Sequence, residues 1–295
     1  MISCSAIADH VFFFHIDRQG WALQPPAVSC RNCMSQLDQS YERRFGGIAR
    51  LYGAAALARF RAAHIAVIGV GGVGSWVAEA LARSGVGALT LIDLDDLCVS
   101  NTNRQLPALD GQFGRMKVAA LAERILAINP ECRVNCIEDF IAPENFAEYL
   151  GGGLDYVVDA IDSVRTKAAL IAWCRDHRLR IITTGGAGGQ IDPTQVAVED
   201  LSRTTHDPLA SKVRAQLRRQ YGFAKAERKM GVDCVYSTEQ LVYPQPDGSV
   251  CAQKPQAGDG PVRLDCAGGF GASVAVTGTF GFVAAAHVLK HLARN

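Results

Sequence analysis

The 295-residue chain carries almost no net charge, because 30 lysines and arginines oppose 29 aspartates and glutamates, leaving +1. A balanced chain has no overall attraction to nucleic acid or to a membrane surface, so any such binding must come from a local patch. Internal repeats and low-complexity tracts are also absent. With 48% hydrophobic residues, the sequence instead indicates a globular protein with a sizeable core.

A second C-x-x-C pair is missing. Cys30 and Cys33 form a single pair, whereas a structural zinc site normally needs four ligands, so we expect no zinc. The N-terminal residues show no recognisable secretory signal. We therefore expect a cytoplasmic protein whose ten cysteines are reduced. We expect residues 1–33 to be a disordered extension that precedes a domain at residues 34–295.

Uninterrupted long apolar runs are scarce, and the one that approaches a membrane span covers residues 270–289. Small and polar residues interrupt it, among them Gly278, Thr279 and His287. This composition favours a helix buried in the core or in a dimer interface over a membrane helix.

Strand-like and helix-like segments alternate between residues 65 and 185. The predicted strands are 65–69, 88–93, 133–138, 154–161 and 180–185, and the helices between them are 73–84, 115–128, 143–150 and 164–177. Such alternation is typical of a parallel sheet with helices on both faces. The predicted fold is therefore α/β, a Rossmann-like doubly wound, mostly parallel sheet. A C-terminal elaboration of short strands and an apolar helix follows it.

A glycine-rich frame stands between the first strand and its helix. Its members are Gly69, Gly71, Gly72 and Gly74. Glycines there let the backbone turn tightly and approach a phosphate, while the helix N-terminus offers free N–H groups. Asp93 ends the next strand, where a carboxylate can bond ribose hydroxyls. The pattern predicts nucleotide binding and, taken alone, leaves a dinucleotide open.

Polar residues after the second strand favour ATP over a dinucleotide. Asn101, Arg104, Gln105 and Lys117 follow that strand, near the edge where a triphosphate would lie. A nicotinamide dinucleotide has two phosphates and does not need positively charged side chains at this distance from the glycines. ATP that loses pyrophosphate needs such side chains, because negative charge develops on the leaving group.

Two aspartates end a later strand in the motif DAIDSV. Asp159 and Asp162 place carboxylates at the same sheet edge, where one of them could hold Mg²⁺ against phosphates. The alternative for Asp162 is a helix N-cap.

Several motifs together resemble a known superfamily. The G-x-G-G-x-G loop, the following D-x-D, SNTNRQ and DAIDS resemble the ThiF-type adenylating domain of ubiquitin-activating, E1-like enzymes. More narrowly, RFGGIARLYG, TTGGAGGQIDPTQ, GVDCVYSTE, VYPQ and DCAGGFG resemble the tRNA threonylcarbamoyladenosine dehydratase branch. The resemblance runs from about Tyr41 to the C-terminus.

This resemblance implies a ligase-like, ATP-dependent reaction on tRNA. The threonyl carboxylate of the modified adenosine at position 37 would be adenylated, and a nitrogen of the same modification would then close a ring. The glycines and Asn101 would hold the ATP phosphates, and Asp93 the ribose. The implied catalytic residues are Arg104, Lys117, Asp162 (through Mg²⁺) and Arg44. A bound monovalent cation is left open.

The resemblance also implies partners. Arg44, or alternatively Arg43, would reach into the ATP site of the second subunit of a homodimer. Cys234 lies where E1-like proteins often carry a catalytic or sulfur-handling cysteine. It is either a small buried residue or a contact in a sulfur relay with a cysteine desulfurase and its acceptor protein.

Residues 200–231 are predicted to be a basic insert that binds tRNA. Phosphate contacts supply affinity that depends on salt, and Tyr221 or Phe223 could stack on an unpaired base. The basic residues are Lys212, Arg214, Arg218, Arg219, Lys225, Arg228 and Lys229.

The sequence favours a tRNA-modifying dehydratase over three alternatives. An enzyme that adenylates the C-terminal glycine of a ubiquitin-like sulfur carrier is disfavoured by the single C-x-x-C pair. A nucleotide-binding scaffold without turnover has no need for the whole polar set. A dehydrogenase lacks a recognisable hydride-acceptor site.

Overall fold

The protein is described from a computed structural model that covers residues 14–17, 20–23, 31–225, 228–245, 247–253 and 270–294, with side chains from residue 41 onward. The strands are β1 (Phe14–Asp17), β2 (Gly20–Leu23), β3 (His64–Ile68), β4 (Ala88–Ile92), β5 (Arg133–Ile137), β6 (Tyr156–Asp159), β7 (Ile181–Thr184), β8 (Val196–Asp200), β9 (Asp233–Ser237), β10 (Tyr243–Pro244) and β11 (Val250–Cys251). The α-helices are α1 (Arg31–Tyr52), α2 (Ala54–Ala62), α3 (Gly74–Arg83), α4 (Lys117–Ile128), α5 (Phe146–Leu150), α6 (Val164–Asp176), α7 (Pro208–Gln220) and α8 (Val274–Arg294).

Nine of the strands form one sheet in the order β1-β2-β5-β4-β3-β6-β7-β9-β8. The six central strands, β5 to β9 in that order, are parallel, and the outer strands β2 and β8 pair antiparallel with β5 and β9. The chain order reverses beside β3, so the carboxyl ends of β3, β4 and β6 meet at one edge. In an open sheet of this kind, that crevice is where ligands bind.

Two helical layers bury the two faces of the sheet. Alternate strand residues point to opposite faces, so Ile65 and Val67 of β3 pack with α2, α3, α4 and α8. Ala66 and Ile68 instead pack with α5 and α6. A further cluster joins α6 to α7 beneath β9. The predicted mostly parallel, doubly wound α/β fold is confirmed, and every strand and helix predicted between residues 65 and 185 is present.

The N-terminal segment contributes structure where it is described. Strands β1 and β2 form a hairpin, and β2 extends the sheet along β5. The helix α1 already begins at Arg31. The disordered extension and the boundary at residue 33 stay predictions, because most of the preceding residues, Cys30 among them, lie outside the described part, as do residues 265–269 of the DCAGGFG motif.

The apolar stretch near the C-terminus forms α8, which packs into the core. Phe280, Ala284 and Val288 are buried against the layer that contains α3. Among the helices of the described residues, none combines the length and the hydrophobicity that a membrane span requires.

Two glycines of α8 face α3, and they differ in the space around them. A Cβ on Gly281 would lie 2.6 Å from Cβ of Trp76 and 2.8 Å from the carbonyl oxygen of Val73. A Cβ on Gly278 would lie 3.7 Å from the Trp76 ring, an ordinary contact distance.

We predict opposite effects of the two glycine-to-alanine substitutions. Gly281→Ala should lower the free energy of unfolding by about 1–3 kcal/mol, because the helices must separate. Gly278→Ala should raise it by up to about 1 kcal/mol, because alanine is the better helix former. Urea unfolding of both variants measures the difference, and equal effects would mean that α8 does not pack this closely.

Candidate functional site

The glycine frame forms a tight loop between β3 and α3. Gly69 has a φ of 80°, a conformation that favours glycine. A Cβ on Gly74 would lie only 1.8 Å from the carbonyl oxygen of Gly69, so no side chain fits there. The loop therefore passes close to the first turn of α3, and a helix N-terminus is a place where phosphate groups bind.

Asp93 lies at the end of β4 beside this loop. Its Oδ2 accepts a hydrogen bond of 2.8 Å from the backbone N–H of Val70, and its Oδ1 lies 3.8 Å from Nζ of Lys117. Lys117 is buried and donates to Oδ2 of Asp95 over 2.6 Å. Burial raises the pKa of Asp93, and the Lys117 ammonium opposes that rise. The arrangement holds one carboxylate and one cation together in the crevice.

Arg104 and Gln105 cover the other side of the loop. A Cβ on Gly72 would lie 3.2 Å from Cγ of Arg104, so the arginine stem lies directly over the glycines. The guanidinium donates to the carbonyl oxygen of Ser100 over 2.8 Å. Gln105 is buried, and its Oε1 has no hydrogen-bond partner among the described residues. An unpaired polar atom beside a glycine loop fits a polar ligand.

Asn101 has a structural task in the loop before Arg104. Its Oδ1 accepts a hydrogen bond of 2.9 Å from the N–H of Cys98 and closes the short 3-10 helix Val99–Asn101. The side chain is buried. A role of its amide N–H₂ in phosphate binding stays a prediction.

The two aspartates of the DAIDSV motif separate into different environments. Asp159 is fully buried, and its Oδ2 accepts bonds of 2.8 Å from Nζ of Lys167 and 2.6 Å from Oγ1 of Thr183. Asp162 is exposed and has neither a hydrogen bond nor an ion pair among the described residues. The N-cap of α6 is Ser163, so the N-cap alternative for Asp162 does not apply. Of the two carboxylates, only that of Asp162 is open to a ligand.

Cys234 lies at the far end of a buried polar row. Asp159, Thr183 and Cys234 are paired residues on β6, β7 and β9, on the face that α6 and α7 cover. Cys234 is fully buried, and burial raises the pKa of its thiol. Asp207 lies beside the row. Burial raises its pKa, although it accepts bonds from the N–H groups of Ala210 and Gly186. The environment of Cys234 is that of a small packed residue, and a sulfur-relay role stays a prediction.

A cavity of about 370 Å³ opens next to this row. Asp207 and Arg214 supply charged walls, and Tyr243 supplies an aromatic one. Because Asp207 accepts a hydrogen bond from Gly186, which follows β7, the cavity lies near the carboxyl edge of the sheet, the edge at which the crevice opens.

The basic segment divides into exposed cations and a structural arginine. Arg214 is half-buried and donates to the carbonyl oxygens of Leu201 and Thr204, over 3.4 and 3.0 Å. Burial lowers its pKa. Arg218 donates to the carbonyl oxygen of Ala224 over 3.2 Å. The exposed members are Lys212, Arg219, Lys225, Arg228 and Lys229.

The structure excludes one of the two aromatic residues that are predicted to stack on a base. Phe223 is buried, and the guanidinium of Arg175 lies 4.2 Å from the centre of its ring. The ring is therefore not accessible to a base. Tyr221 is half-buried at the end of α7. Stacking by Phe223 is therefore not compatible with this structure.

Arg43 and Arg44 lie on α1, away from the glycine loop of their own chain. Both are exposed, and Arg44 donates to the carbonyl oxygen of Ile128 at the end of α4 over 3.2 Å. Reach into a second subunit stays a prediction for either residue.

Three residues of the site were missed by the sequence analysis. Asp95 is the direct partner of Lys117, Lys167 neutralises Asp159, and Asp207 caps α7. A signal existed for Lys167, because it lies on the buried face of α6 next to Ala168 and Ile171. A charged residue at such a position requires a buried partner.

The fold and the site are those of an α/β protein with a nucleotide-binding crevice. The profile of the ThiF family matches residues 41–295. The chain belongs to the ThiF family.

Relatives of the chain are similar over most of their length. The tRNA threonylcarbamoyladenosine dehydratase of Escherichia coli (strain K12) is 59% identical over 257 residues, which are 87% of this chain and 96% of that protein. The crystal structure of the E. coli tRNA N6-threonylcarbamoyladenosine dehydratase in complex with ATP has a TM-score of 0.76 and 54% identity, and its complex with AMP has 0.76 and 55%. Each match covers 86% of this chain and 95% of the other.

We predict that the buried pair of Lys167 and Asp159 is essential to the stability of the site. Lys167→Met leaves a buried carboxylate without compensation and should lower the free energy of unfolding by about 3–5 kcal/mol. The double variant with Asp159→Asn removes the charge and should recover most of that loss. Urea unfolding compares them, and a single variant as stable as the double one would contradict a buried charge here.

Proposed function

We propose that the chain catalyses the ATP-dependent dehydration of N6-threonylcarbamoyladenosine at position 37 of tRNA. The observation that carries this proposal is the crevice itself, where the glycine loop, Asp93, Lys117 and Arg104 meet. That crevice belongs to a chain that is 59% identical to a dehydratase of this name.

The reaction begins with a poor acyl donor, since a free carboxylate would have to expel oxide or hydroxide. The threonyl carboxylate attacks the α-phosphorus of ATP and forms a new O–P bond. The bond from the α-phosphorus to the oxygen that bridges to the β-phosphorus breaks, and pyrophosphate leaves with that oxygen. A nitrogen of the same modification then attacks the acyl carbon, loses its proton and expels AMP. AMP carries away the carboxylate oxygen, so the nucleoside loses the elements of water. Ring closure is intramolecular and gains from proximity.

The residues of the crevice take up the charges of this reaction. Asp93 accepts bonds from the ribose hydroxyls, and Gly71, Gly72 and Gly74 present backbone N–H groups to the phosphates, whereas that of Gly69 donates to the carbonyl oxygen of Ile92. Lys117 and Arg104 neutralise charge that develops on pyrophosphate. Asp162, whose carboxylate is open, would hold Mg²⁺, which supplies further neutralisation of the phosphates.

The assembly around this site is proposed on the same basis. The protein is a cytoplasmic homodimer in which Arg44 or Arg43 completes the partner's ATP site. Contact with a cysteine desulfurase and its acceptor protein accompanies the activity but takes no part in ring closure.

Incubation with ATP, Mg²⁺ and tRNA bearing the threonylcarbamoyl modification should convert the nucleoside to a species lighter by one water, as seen by nucleoside mass spectrometry. Arg104→Ala should reduce the rate about 100-fold to 1000-fold, because it removes a group that stabilises the leaving charge. Asp162→Asn should act in the same direction.

Two variants serve as controls. Asp176→Asn, at the other end of α6, should leave the rate unchanged. Cys234→Ala should retain most of the cyclisation, since the nucleophile of the second step belongs to the substrate. A folded but inactive Cys234→Ala would contradict this mechanism and indicate a covalent step on the protein.

The exposed cations of the basic segment should determine how tRNA binding depends on salt. Lys212→Ala and Arg219→Ala should each weaken binding and lower the slope of log K against log salt by about one, as the loss of one phosphate contact does. Fluorescence anisotropy over a salt series measures that slope. Glu148→Ala, an exposed acidic residue on α5 outside the basic segment, is the control, and unchanged slopes in the two basic variants would exclude this surface.

A further inference from the structure

A group of metal-ligating side chains lies far from the glycine loop. Asp233 begins β9, and His287 and His291 lie in the last turns of α8. One ligand atom of each residue lies within 4.8 Å of those of the other two. Because β9 runs parallel to β7, its first residue is at the amino edge of the sheet, opposite the crevice.

The three side chains converge although they come from different elements. Residues four apart on a helix share one face, and the two imidazole rings have centroids 4.9 Å apart. Nε2 of His287 lies 3.0 Å from Oδ2 of Asp233. This nitrogen is buried, and no well-directed hydrogen bond satisfies it within the part of the chain that the structure describes. A buried nitrogen in this state is available as a ligand.

We propose that Asp233, His287 and His291 bind one divalent transition-metal ion such as Zn²⁺. Two imidazoles and one carboxylate are a ligand set that zinc accepts, with water in the remaining position. Two histidines four residues apart on one helix are a known way to supply two of the ligands. The site uses no cysteine, so the single C-x-x-C pair has no bearing on it.

Two neighbouring cations oppose the ion. A guanidinium N–H group of Arg180 lies 3.0 Å from Nδ1 of His291, and Arg294 is close enough to act on the same imidazole. The side chain of Arg180 is exposed, so it can turn into solvent when an ion arrives. The positive charge of Arg180 therefore opposes a metal ion bound to His291, and removal of this charge should strengthen binding.

The ion would join the end of α8 to the beginning of β9. All three ligands are half-buried, so the ion can enter from solvent. An ion that binds the folded chain and not the unfolded one raises the melting temperature. The site is therefore structural, and it acts independently of the nucleotide and of the proposed reaction.

Titration of the untagged, full-length protein with Co²⁺ tests the proposal, because Co²⁺ replaces Zn²⁺ and is visible. We expect one equivalent to bind, with ligand-field bands in the visible region and no thiolate charge-transfer band in the near ultraviolet. His291→Gln should weaken binding by more than about 100-fold, because loss of a ligand costs more than the roughly 10–100-fold that loss of an outer-shell residue costs. Arg180→Gln should tighten it, and His177→Gln, an exposed histidine outside the group, should change nothing.

The melting temperature gives a second readout. It should rise on addition of Zn²⁺ in the unaltered protein and not in His291→Gln, which lies near the end of α8 and should not prevent folding. Equal Co²⁺ affinity in the unaltered protein and His291→Gln would overturn the proposal. A thiolate charge-transfer band would also overturn it, because it would place the ion on cysteine.

Discussion

The approach of α3 to the carbonyl oxygen of Gly69 is the constraint on which the site depends. Only a hydrogen atom fits at Gly74, since a Cβ would lie 1.8 Å from that oxygen. The loop can then pass close to the start of α3 and present its backbone N–H groups to the crevice. Arg104 lies over the same loop, and α8 packs on α3 from the other side. The turn from Gly69 to Gly74 thus positions both the polar groups of the crevice and the helix α3, on which α8 packs.

Charge inside the protein is arranged in compensated groups around this turn. Lys117 lies between Asp93 and Asp95, and Lys167 is buried against Asp159. Buried charges are costly unless paired, so each carboxylate at the strand ends either has a partner or is exposed. Asp162 is exposed without one. That difference separates the carboxylate available to a ligand from the one that maintains the structure.

Much of this could be predicted from the sequence, because it depends on local periodicity. The alternation of strands and helices and the glycine frame are short-range patterns, and both were found as expected. Pairing between distant residues could not be predicted in the same way. Asp159 can be buried because Lys167, eight residues further along the chain, pairs with it, whereas Asp162 has no such partner among the described residues and is exposed. The burial of Phe223 under Arg175 and the fixed position of Arg214 depend on how α7 packs on α6. A run of basic residues does not reveal which of its members have internal partners.

In the proposed reaction, the crevice converts a carboxylate into a mixed anhydride with adenylate. Threonylcarbamoyl-modified tRNA with ¹⁸O in the threonyl carboxylate tests it most directly, with mass spectrometry of the released nucleotide and phosphates. Adenylation of the carboxylate should place ¹⁸O in AMP, one atom for each nucleoside that cyclises. Label found in inorganic phosphate or pyrophosphate, with none in AMP, would contradict it.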